Sequence, residues 1–337
     1  MTTPLPLPTL LIIALQGKAI ARMIGDVATL GIADHLQDNV VPVSQLAADS
    51  GCHEDALYRV LRALSALGIF VEKADRCFAN SEASSYMRRN VPGSVHDFLV
   101  WENCKPFWNA FSHFDHCLRS GESSFTHANG LPLFDYLKEH PETGKVFNDA
   151  MTHGSLGLSP LIAECYDFTE VKTLVDVGGG HGLLLKTLLR QHKHLQGIVF
   201  DLPQVVDGAD AEELQTRLQF AGGNFFESLP QNADIYTIKH IIHDWNDELS
   251  IKLLSKCHKV MSEHGRVLVI EQVVNDSPEG VFAKLADIEM LAITHNGRER
   301  TEAEFAELFK AAGLKLERVI PTGKNTICIL EGVKYNK

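Results

Sequence analysis

The fold of this chain is decided by the stretch Leu174-Val175-Asp176-Val177-Gly178-Gly179-Gly180-His181-Gly182. An apolar run ends here in an acid and a glycine-rich turn, and the chain then enters Leu183–Leu189, which is typical of a helix. A strand, a tight loop and a helix in this order form the basic unit of an α/β sheet. Glycines let such a loop approach a ligand closely, because a Cβ would fill that space. The stretch therefore predicts a ligand-binding loop at the edge of a parallel sheet.

The glycine spacing indicates which ligand this loop holds. A dinucleotide fingerprint needs a glycine where this chain has Leu183, and the Gly-Lys-Ser/Thr of a P-loop is absent. Since pyrophosphate is the group that most needs bare helix N-terminal amides, the spacing favours a ligand without phosphates. The next predicted strand, Gly197–Phe200, is followed by Asp201, where a carboxylate commonly binds a ribose diol. A ribose without phosphate beside an amino-acid-like tail predicts S-adenosylmethionine; the alternative is that Asp176 and Asp201 only cap helices or finish strands.

A second motif, Lys239-His240-Ile241-Ile242-His243-Asp244-Trp245, supplies a candidate base. It follows the predicted strand Ile235–Ile238, so His243 is expected at the carboxyl edge, where open α/β sheets bind ligands. A phenol has a pKa of about 10 and an imidazole one of about 6.5, so a histidine can take the proton as the oxygen attacks. His240, one helical turn earlier, fits either a metal pair or a packed, hydrogen-bonded histidine; no third ligand with clear spacing follows.

Four motifs follow one another along the chain: Val-Asp-Val-Gly-Gly-Gly-His-Gly at 175–182, Phe-Asp-Leu-Pro at 200–203, Ile-Ile-His-Asp-Trp at 241–245 and Gly-Arg-Glu-Arg-Thr at 297–301. They resemble, in the same order, the motifs of the small-molecule O-methyltransferases typified by the caffeic acid and hydroxyindole enzymes. Bacterial members of that family modify phenazines and polyketides. The resemblance implies an S-adenosylmethionine-dependent, metal-independent transfer of a methyl group to the hydroxyl of an aromatic small molecule, with S-adenosylhomocysteine as the product.

The resemblance also assigns the catalytic residues. It makes His243 the base, with Glu271 and Glu299 orienting its ring. Glu271 is expected to close the strand Val267–Ile270, and Glu299 to come from the loop before the next helix. A carboxylate bonded to the far ring nitrogen would fix the tautomer and stabilise the imidazolium that forms. The alternative for either glutamate is an exposed acid or a salt bridge to a neighbouring arginine.

For the cofactor, the resemblance places the loop around Gly178 at the methionine tail and Asp201 at the ribose. It assigns Lys239 to a carboxylate or backbone contact and Trp245 to the adenine side. The predicted cofactor residues are Asp176, Gly178, Gly180, Asp201, Leu202, Asn224, Phe225, Lys239 and Trp245.

The acceptor is expected to bind in an aromatic region. Residues 96–151 hold an unusual share of the aromatic side chains, most of which are expected to fill the core between helices. Phe147-Asn148-Asp149-Ala150-Met151 looks like the family's Phe-Asn-x-x-Met, which implies that Phe147 and Met151 touch the acceptor. Asn296 is the third predicted acceptor residue.

Two places depart from the family pattern. Asn224-Phe225 stands where the family usually has Asp followed by Met or another apolar residue; an asparagine oxygen can still accept from the adenine amine, but its own amide needs another partner. The loop His295–Glu299 is two residues shorter between Asn and Glu than the commonest plant pattern.

The organisation of the chain follows from pattern and resemblance together. We expect a doubly wound, Rossmann-like α/β catalytic domain over residues 156–337, a helical connector over 96–155 and an N-terminal helical, winged-helix dimerisation domain over 1–95. The winged-helix pattern covers residues 41–87, with a leucine stripe from Leu57 to Leu67 and a two-stranded wing. Ser159 and Pro160 are expected to open a helix, Thr301–Glu304 to cap one, and residues 315–330 to form a final hairpin.

Charge and composition restrict the possible partners and location. The net charge of −12 disfavours nucleic acid and anionic membranes, and residues 41–90 contain six basic and six acidic side chains, which cancel. Seven scattered cysteines without a Cys-x-x-Cys pair indicate a reducing cytoplasm, with no disulfide framework or thiolate zinc site. The apolar run Leu10–Leu15 is too short to span a bilayer and is expected to belong to the first helix. We expect a cytoplasmic homodimer that binds no nucleic acid, membrane or metal.

Three other functions stay open at this point. The fold also serves relatives recruited to hydroxylation, decarboxylation or pericyclic reactions, although such recruits often lose the base. A ligand-sensing transcriptional regulator built on the winged segment is a second alternative. Methylation of an amine is a third, because amines need less help from a base.

Overall fold

The computed structural model describes Leu11 and residues 14–335. The chain forms two compact units: Met1–Trp108 with Glu142–Gly154, and Asn109–Pro141 with Ser155–Lys337. The domain boundaries expected at residues 95 and 155 stay predictions. Half of the apolar run Leu10–Leu15, expected to belong to the first helix, lies outside the described residues, namely residues 10, 12 and 13. None of the helices formed by the described residues is long and apolar enough to cross a bilayer.

The first unit begins with a helical, winged arrangement. Its helices are Gly17–Thr29 (α1), Ile32–Leu36 (α2), Val43–Ser50 (α3), Glu54–Ala66 (α4), Glu82–Ser85 (α5) and His96–Glu102 (α6), and Lys105–Ser112 (α7) lies at its boundary. Its strands are Val41–Pro42 (β1), Phe70–Lys73 (β2) and Cys77–Asn80 (β3), in the antiparallel order β1-β3-β2. The wing therefore has a third strand that the pattern did not predict. Leu57, Leu61 and Leu64 of the predicted stripe are buried, whereas Leu67 lies past the end of α4 and is exposed.

The second unit contains helices on either side of a sheet. Its helices are Phe114–Ser120 (α8), Ser124–Asn129 (α9), Leu133–Glu139 (α10), the last part of Pro141–Cys165 (α11), Leu183–Gln191 (α12), Pro203–Val206 (α13), Asp247–Val260 (α14), Gly280–Ile293 (α15) and Glu302–Ala311 (α16). Short 3₁₀ turns occur at Ala74–Arg76 in the first unit and at Glu212–Leu214 and Ile242–Asp244 in the second. Apolar side chains from both faces of the sheet pack against these helices in two buried clusters.

The sheet confirms the doubly wound architecture. Its strands are Thr173–Val177 (β4), Gln196–Asp201 (β5), Leu218–Gly222 (β6), Ile235–Lys239 (β7), Arg266–Val274 (β8), Arg300–Thr301 (β9), Leu314–Pro321 (β10) and Ile327–Lys334 (β11). The order is β10-β11-β8-β7-β4-β5-β6, with β9 beside β8. Strands β4 to β8 are parallel, and the hairpin β10–β11 is antiparallel. The chain reverses direction across the sheet at β4, so the carboxyl ends of β4 and β7 form the crevice where such sheets bind ligands.

One helix is longer than predicted. Ser159 and Pro160 do not open a helix, because α11 runs without a break from Pro141 to Cys165 with Pro160 inside it. Proline removes one backbone donor and favours the first turn, and here Pro141 occupies that position. Pro141 therefore occupies the preferred position in the first turn, and Pro160 lies in the interior of the same helix.

One strand is also longer than predicted. Glu271 does not close its strand, because β8 continues to Val274. The extension has a partner: β11 pairs with β8 from Gln272 back to Arg266, and β9 pairs with Val273 and Val274. The predicted hairpin at the end of the chain is confirmed, as is the capping box formed by Thr301 and Glu304 at the start of α16.

Candidate active site

The glycine loop follows β4 directly, and its backbone conformation requires glycine at three positions. Gly178, Gly180 and Gly182 have φ angles of 68°, 58° and 77°, in the left-handed region that side chains with a Cβ rarely adopt. A Cβ on Gly178 would also lie 2.5 Å from the Cδ1 atom of Ile241. The loop therefore packs directly against the segment that carries His243.

Asp201 ties this loop to the end of β5. Its Oδ2 accepts the backbone N–H of Gly180 at 2.8 Å, and its Oδ1 accepts that of Leu202 at 2.7 Å. Burial raises the pKa of this carboxyl, and the two backbone donors oppose that rise. A carboxylate oxygen has two acceptor positions, so each oxygen can accept one further hydrogen bond, such as that of a ribose hydroxyl.

Asp176 and Lys239 lie deeper, at the carboxyl ends of β4 and β7. The Thr237 hydroxyl donates to Oδ1 of Asp176 at 2.7 Å, while the buried Oδ2 has no hydrogen-bond partner within the described part of the chain. Burial raises the pKa of Asp176 to about 6 and lowers that of Lys239. The Lys239 ammonium donates to the hydroxyl of Ser155 at 2.9 Å. The Asp176 carboxyl and the Lys239 amine therefore both lie where burial disfavours the charged form.

An aromatic cluster surrounds Trp245. The rings of Phe226 and Phe225 meet it edge-on, with centroids 4.9 and 6.3 Å away, and Phe134 stacks on it at 6.1 Å. The loop that joins β6 to the next segment therefore lies beside the 3₁₀ turn after β7. This places Phe225 next to Trp245, the residue assigned to the adenine side.

Asn224, the departure from the family pattern, is exposed and anchored locally. Its Oδ1 accepts the backbone N–H of Phe226 at 2.9 Å, and its Nδ2 donates to Glu227 at 3.1 Å. Glu227 therefore supplies a partner for one of the two N–H donors of the side-chain amide.

His243 lies in the 3₁₀ turn after β7 with its ring mostly buried. Its Nδ1 is 2.8 Å from Oε1 of Glu299. With a carboxylate at that distance, the neutral ring carries its hydrogen on Nδ1, and Nε2 of this form keeps the lone pair that a base needs. Burial lowers the pKa of His243, but the charges of Glu271, Glu299 and Asp244 outweigh it and raise the pKa well above 6.5. Asp244, which the sequence did not single out, has its own pKa raised by burial to about 7.

Glu271 has a different role from Glu299. Its Oε1 accepts the backbone N–H groups of Ile241 and Ile242 at 2.9 Å and that of His243 at 3.4 Å. Its Oε2 is 3.6 Å from Nδ1 of His243, beyond hydrogen-bond distance. Glu271 therefore holds the backbone of the turn, and Glu299 makes the side-chain contact to the ring.

His240 is not on a helical turn with His243. Its φ is +52°, a left-handed conformation that is uncommon for a residue other than glycine, and the 3₁₀ turn begins only at Ile242. The two rings are nevertheless neighbours, with centroids 5.5 Å apart. His240 Nδ1 lies 3.5 Å from Oε2 of Glu271, so the third possible ligand that local spacing did not reveal comes from the adjacent strand.

The loop that carries Glu299 packs tightly onto the turn that carries the base. The backbone N–H of Arg298 donates to the carbonyl of His243 at 2.8 Å. A Cβ on Gly297 would lie 2.3 Å from the same carbonyl oxygen. Asn296 is exposed, with a φ of +62°. The shortened loop thus brings Glu299 to His243 by direct backbone contact.

Arg300 is a site residue that sequence reasoning missed. It is only 1% exposed. Its guanidinium donates to the carboxylate of Asp247 and to the backbone carbonyls of Ile242, Trp245 and Arg298. One side chain therefore ties the turn of His243 to the loop of Glu299. Its position inside the motif Gly-Arg-Glu-Arg-Thr is the available signal, and from the sequence this position predicts no more than an ion pair with a neighbouring glutamate.

Phe147 and Met151 lie on the part of α11 that belongs to the first unit. There Phe147 packs edge-on against Trp101, with ring centroids 5.1 Å apart. Their contact with an acceptor stays a prediction.

Comparison with known proteins gives the family of this chain. Residues 111–315 match the profile of the O-methyltransferase domain, and residues 16–90 match that of the O-methyltransferase dimerisation domain. The chain belongs to the O-methyltransferase family. Members of this family depend on S-adenosylmethionine, so the predicted family and cofactor are confirmed.

Individual members resemble this O-methyltransferase over nearly its whole length. The phenazine O-methyltransferase PhzM of Lysobacter antibioticus is 33% identical over 321 residues, which cover 94% of each chain. The mitomycin biosynthesis 6-O-methyltransferase of Streptomyces lavendulae is 33% identical over 326 residues, covering 94% of this chain and 92% of that one. The crystal structure of CalO1, a methyltransferase in calicheamicin biosynthesis with S-adenosylhomocysteine bound, superposes with a TM-score of 0.85 at 33% identity, covering 99% and 100%.

Proposed function

We propose that this O-methyltransferase moves a methyl group from S-adenosylmethionine to a hydroxyl of an aromatic natural product, with His243 as the base. The observation that carries the proposal is the 2.8 Å contact between Nδ1 of His243 and Glu299, at the carboxyl edge of the sheet beside the glycine loop. Relatives that methylate phenazine, mitomycin and puromycin precursors, by their names, support an aromatic acceptor.

The residues around the proposed cofactor site fit S-adenosylmethionine. Asp201 has acceptor positions left for a ribose, and Trp245 with Phe225 offers apolar rings for the adenine. The glycine loop leaves backbone close to the methionine tail, and the unpartnered Oδ2 of Asp176 supplies negative charge near that edge. When bound, the cofactor supplies a methyl group on a positively charged sulfur.

The proton transfer follows from the hydrogen bonding of His243. Nε2 accepts the proton of the acceptor hydroxyl as the oxygen lone pair forms its bond to the methyl carbon, and the carbon–sulfur bond breaks with its electrons left on sulfur. The imidazolium so formed is stabilised by Glu299 on Nδ1 and by the charge of Glu271. Because the leaving group is already a cation, the transfer needs no metal in this mechanism.

A product assay tests the proposal. The purified protein is incubated with S-adenosylmethionine and a panel of phenols, hydroxyquinones and matched anilines, and the products are analysed by mass spectrometry. We expect phenolic products heavier by one methylene group, formed equally in the presence of a chelator. Products with an unchanged number of methyl groups, or methylation of the anilines alone, would contradict the proposal.

We further propose that the protein works as a homodimer in the cytoplasm. The dimerisation-domain match over residues 16–90 supports the homodimer. The seven cysteines, all of them free thiols, support a reducing compartment. Size-exclusion chromatography with light scattering should give twice the chain mass of 37.3 kDa. A monomer at micromolar concentration would contradict the dimer.

A further inference from the structure

Three atoms of metal-ligand type converge beside the base. One nitrogen of His240, one nitrogen of His243 and one carboxylate oxygen of Glu271 lie within 4.8 Å of one another. Oε2 of Glu271 is 3.5 Å from Nδ1 of His240 and 3.6 Å from Nδ1 of His243. The three groups come from β8 and from the segment after β7, so the sheet itself holds them together.

The spacing of these atoms matches the edges of a zinc coordination tetrahedron. Bonds of about 2.0–2.2 Å from Zn²⁺ to nitrogen and oxygen place neighbouring ligand atoms about 3.3–3.6 Å apart in a tetrahedral site. The two measured distances, 3.5 and 3.6 Å, lie at the upper end of this range. Oε1 of Glu299 lies 2.8 Å from Nδ1 of His243, so an ion on that nitrogen displaces the shared hydrogen, and Glu299 either moves aside or takes the fourth position.

Glu271 provides a second, independent indication of a cation site. Its Oε2 is fully buried and has no hydrogen-bond partner among the described residues, whereas its Oε1 is fixed by backbone amides. A carboxylate oxygen that accepts no hydrogen bond keeps its lone pairs free, and a cation can bind to it there. His240 is kept in a left-handed backbone conformation that points to a local requirement for its position.

We propose that His240, His243 and Glu271 bind Zn²⁺ and that the bound ion inhibits methyl transfer. Two imidazoles and one carboxylate suit zinc better than magnesium or calcium, which prefer oxygen ligands. Zinc at Nδ1 of His243 replaces the hydrogen there, so the neutral ring carries its hydrogen on Nε2. The lone pair that would accept the proton of the acceptor is then lost. The inhibition, though not the binding, rests on the proposed function of His243.

The binding test uses zinc chloride and the full-length protein. Isothermal titration calorimetry should show saturable binding, and Co²⁺ should give the visible absorption of a tetrahedral site. His240→Asn removes one ligand, and asparagine tolerates the left-handed backbone at this position. Since even outer-shell partners contribute about 10- to 100-fold to metal affinity, loss of a ligand should weaken zinc binding by at least about tenfold.

The inhibition test compares methyl-transfer rates with zinc and with excess chelator. The wild type should lose activity with zinc and regain it with chelator, while His240→Asn should stay active over a concentration range at least about tenfold higher. His127→Asn is the matched control. It disrupts a separate histidine cluster in which His127 and His116 stack with centroids 4.1 Å apart, and it should leave zinc inhibition unchanged.

Each alternative result overturns the proposal. Equal zinc affinity in the wild type and in His240→Asn would place the ion elsewhere, as would loss of binding in His127→Asn. A faster reaction with zinc would contradict inhibition. If no acceptor is methylated, the proposed function fails, but calorimetry and the Co²⁺ spectrum still decide the zinc site.

Discussion

Gly297 lies so close to His243 that a Cβ at residue 297 would come within 2.3 Å of the His243 carbonyl oxygen. Gly297→Ala must therefore push apart the loop of Glu299 and the turn of the base. We expect a loss of about 1–3 kcal/mol in the free energy of unfolding, typical of overpacking, together with a lower kcat. Denaturant unfolding and initial rates check this. Gly17→Ala, where nothing lies within 4 Å of the added Cβ, should lower neither the stability nor kcat; an unaffected Gly297→Ala would show that the loops do not need this contact.

Replacement of the base should separate chemistry from cofactor binding. His243→Gln removes the proton acceptor, and general base catalysis typically contributes a factor of about 10²–10⁴. We expect kcat to fall by that factor, while calorimetry with S-adenosylhomocysteine shows an unchanged Kd. A variant that loses cofactor affinity but keeps the rate at saturation would assign His243 to binding instead.

Substitution of Glu299 and substitution of Glu271 should have different effects on kcat and on stability. Glu299→Gln keeps the shape but removes the charge on the side-chain contact to His243, so kcat should fall by about 10²-fold or more with little change in stability.

Glu271→Gln changes the acceptor of three backbone N–H groups, and it should lower the free energy of unfolding by about 1–3 kcal/mol as well as the rate. Thermal unfolding and kcat, measured for both variants, test this pair of predictions. Equal losses of stability would contradict the separate roles.

The pH dependence of stability should report on Asp176. Burial raises its pKa from 3.8 to about 6. The unfolded chain therefore releases this proton at lower pH than the folded chain, so the free energy of unfolding falls as the pH rises through this range, by about 3 kcal/mol in total. Asp176→Asn keeps an acceptor for the Thr237 hydroxyl but cannot ionise.

Relative to the wild type, Asp176→Asn should gain about 1 kcal/mol of stability between pH 5 and pH 7. Urea unfolding at several pH values, with equal m-values for the two proteins, is the measurement. Parallel stability curves would show that Asp176 does not titrate in this range.

The segments of the site that are continuous in sequence could be predicted from local sequence patterns. The loop Gly178–Gly182 and the strand Ile235–Lys239 have signals within a few residues: positive-φ glycines in one case and an apolar run in the other. The parallel direction of these strands could be predicted from the alternation of strands and helices, since parallel neighbours need a crossover between them.

The missed features depend on residues that are far apart in sequence. The strand of Glu271 continues because Gln272 pairs with Ile327, a partner that no local window contains. Arg300 is charged and therefore expected to be exposed, yet the backbone carbonyls of Ile242 and Trp245, in a turn more than fifty residues away, make its burial favourable. Proline statistics could not show that the helix continues through Pro160, because the preference for a first turn is a tendency rather than a rule.

Glu271 belongs to the middle of a nine-residue strand that is paired on both sides. One of the two glutamates beside the base is thereby attached to a strand that has hydrogen-bonded neighbours on both sides. Directed evolution towards new acceptors has latitude in the helices between residues 96 and 151, except at Phe134, whose ring stacks on Trp245, because these helices contribute no strand to the sheet. Removal of the base, by contrast, needs only a substitution at His243, in the turn outside the strand.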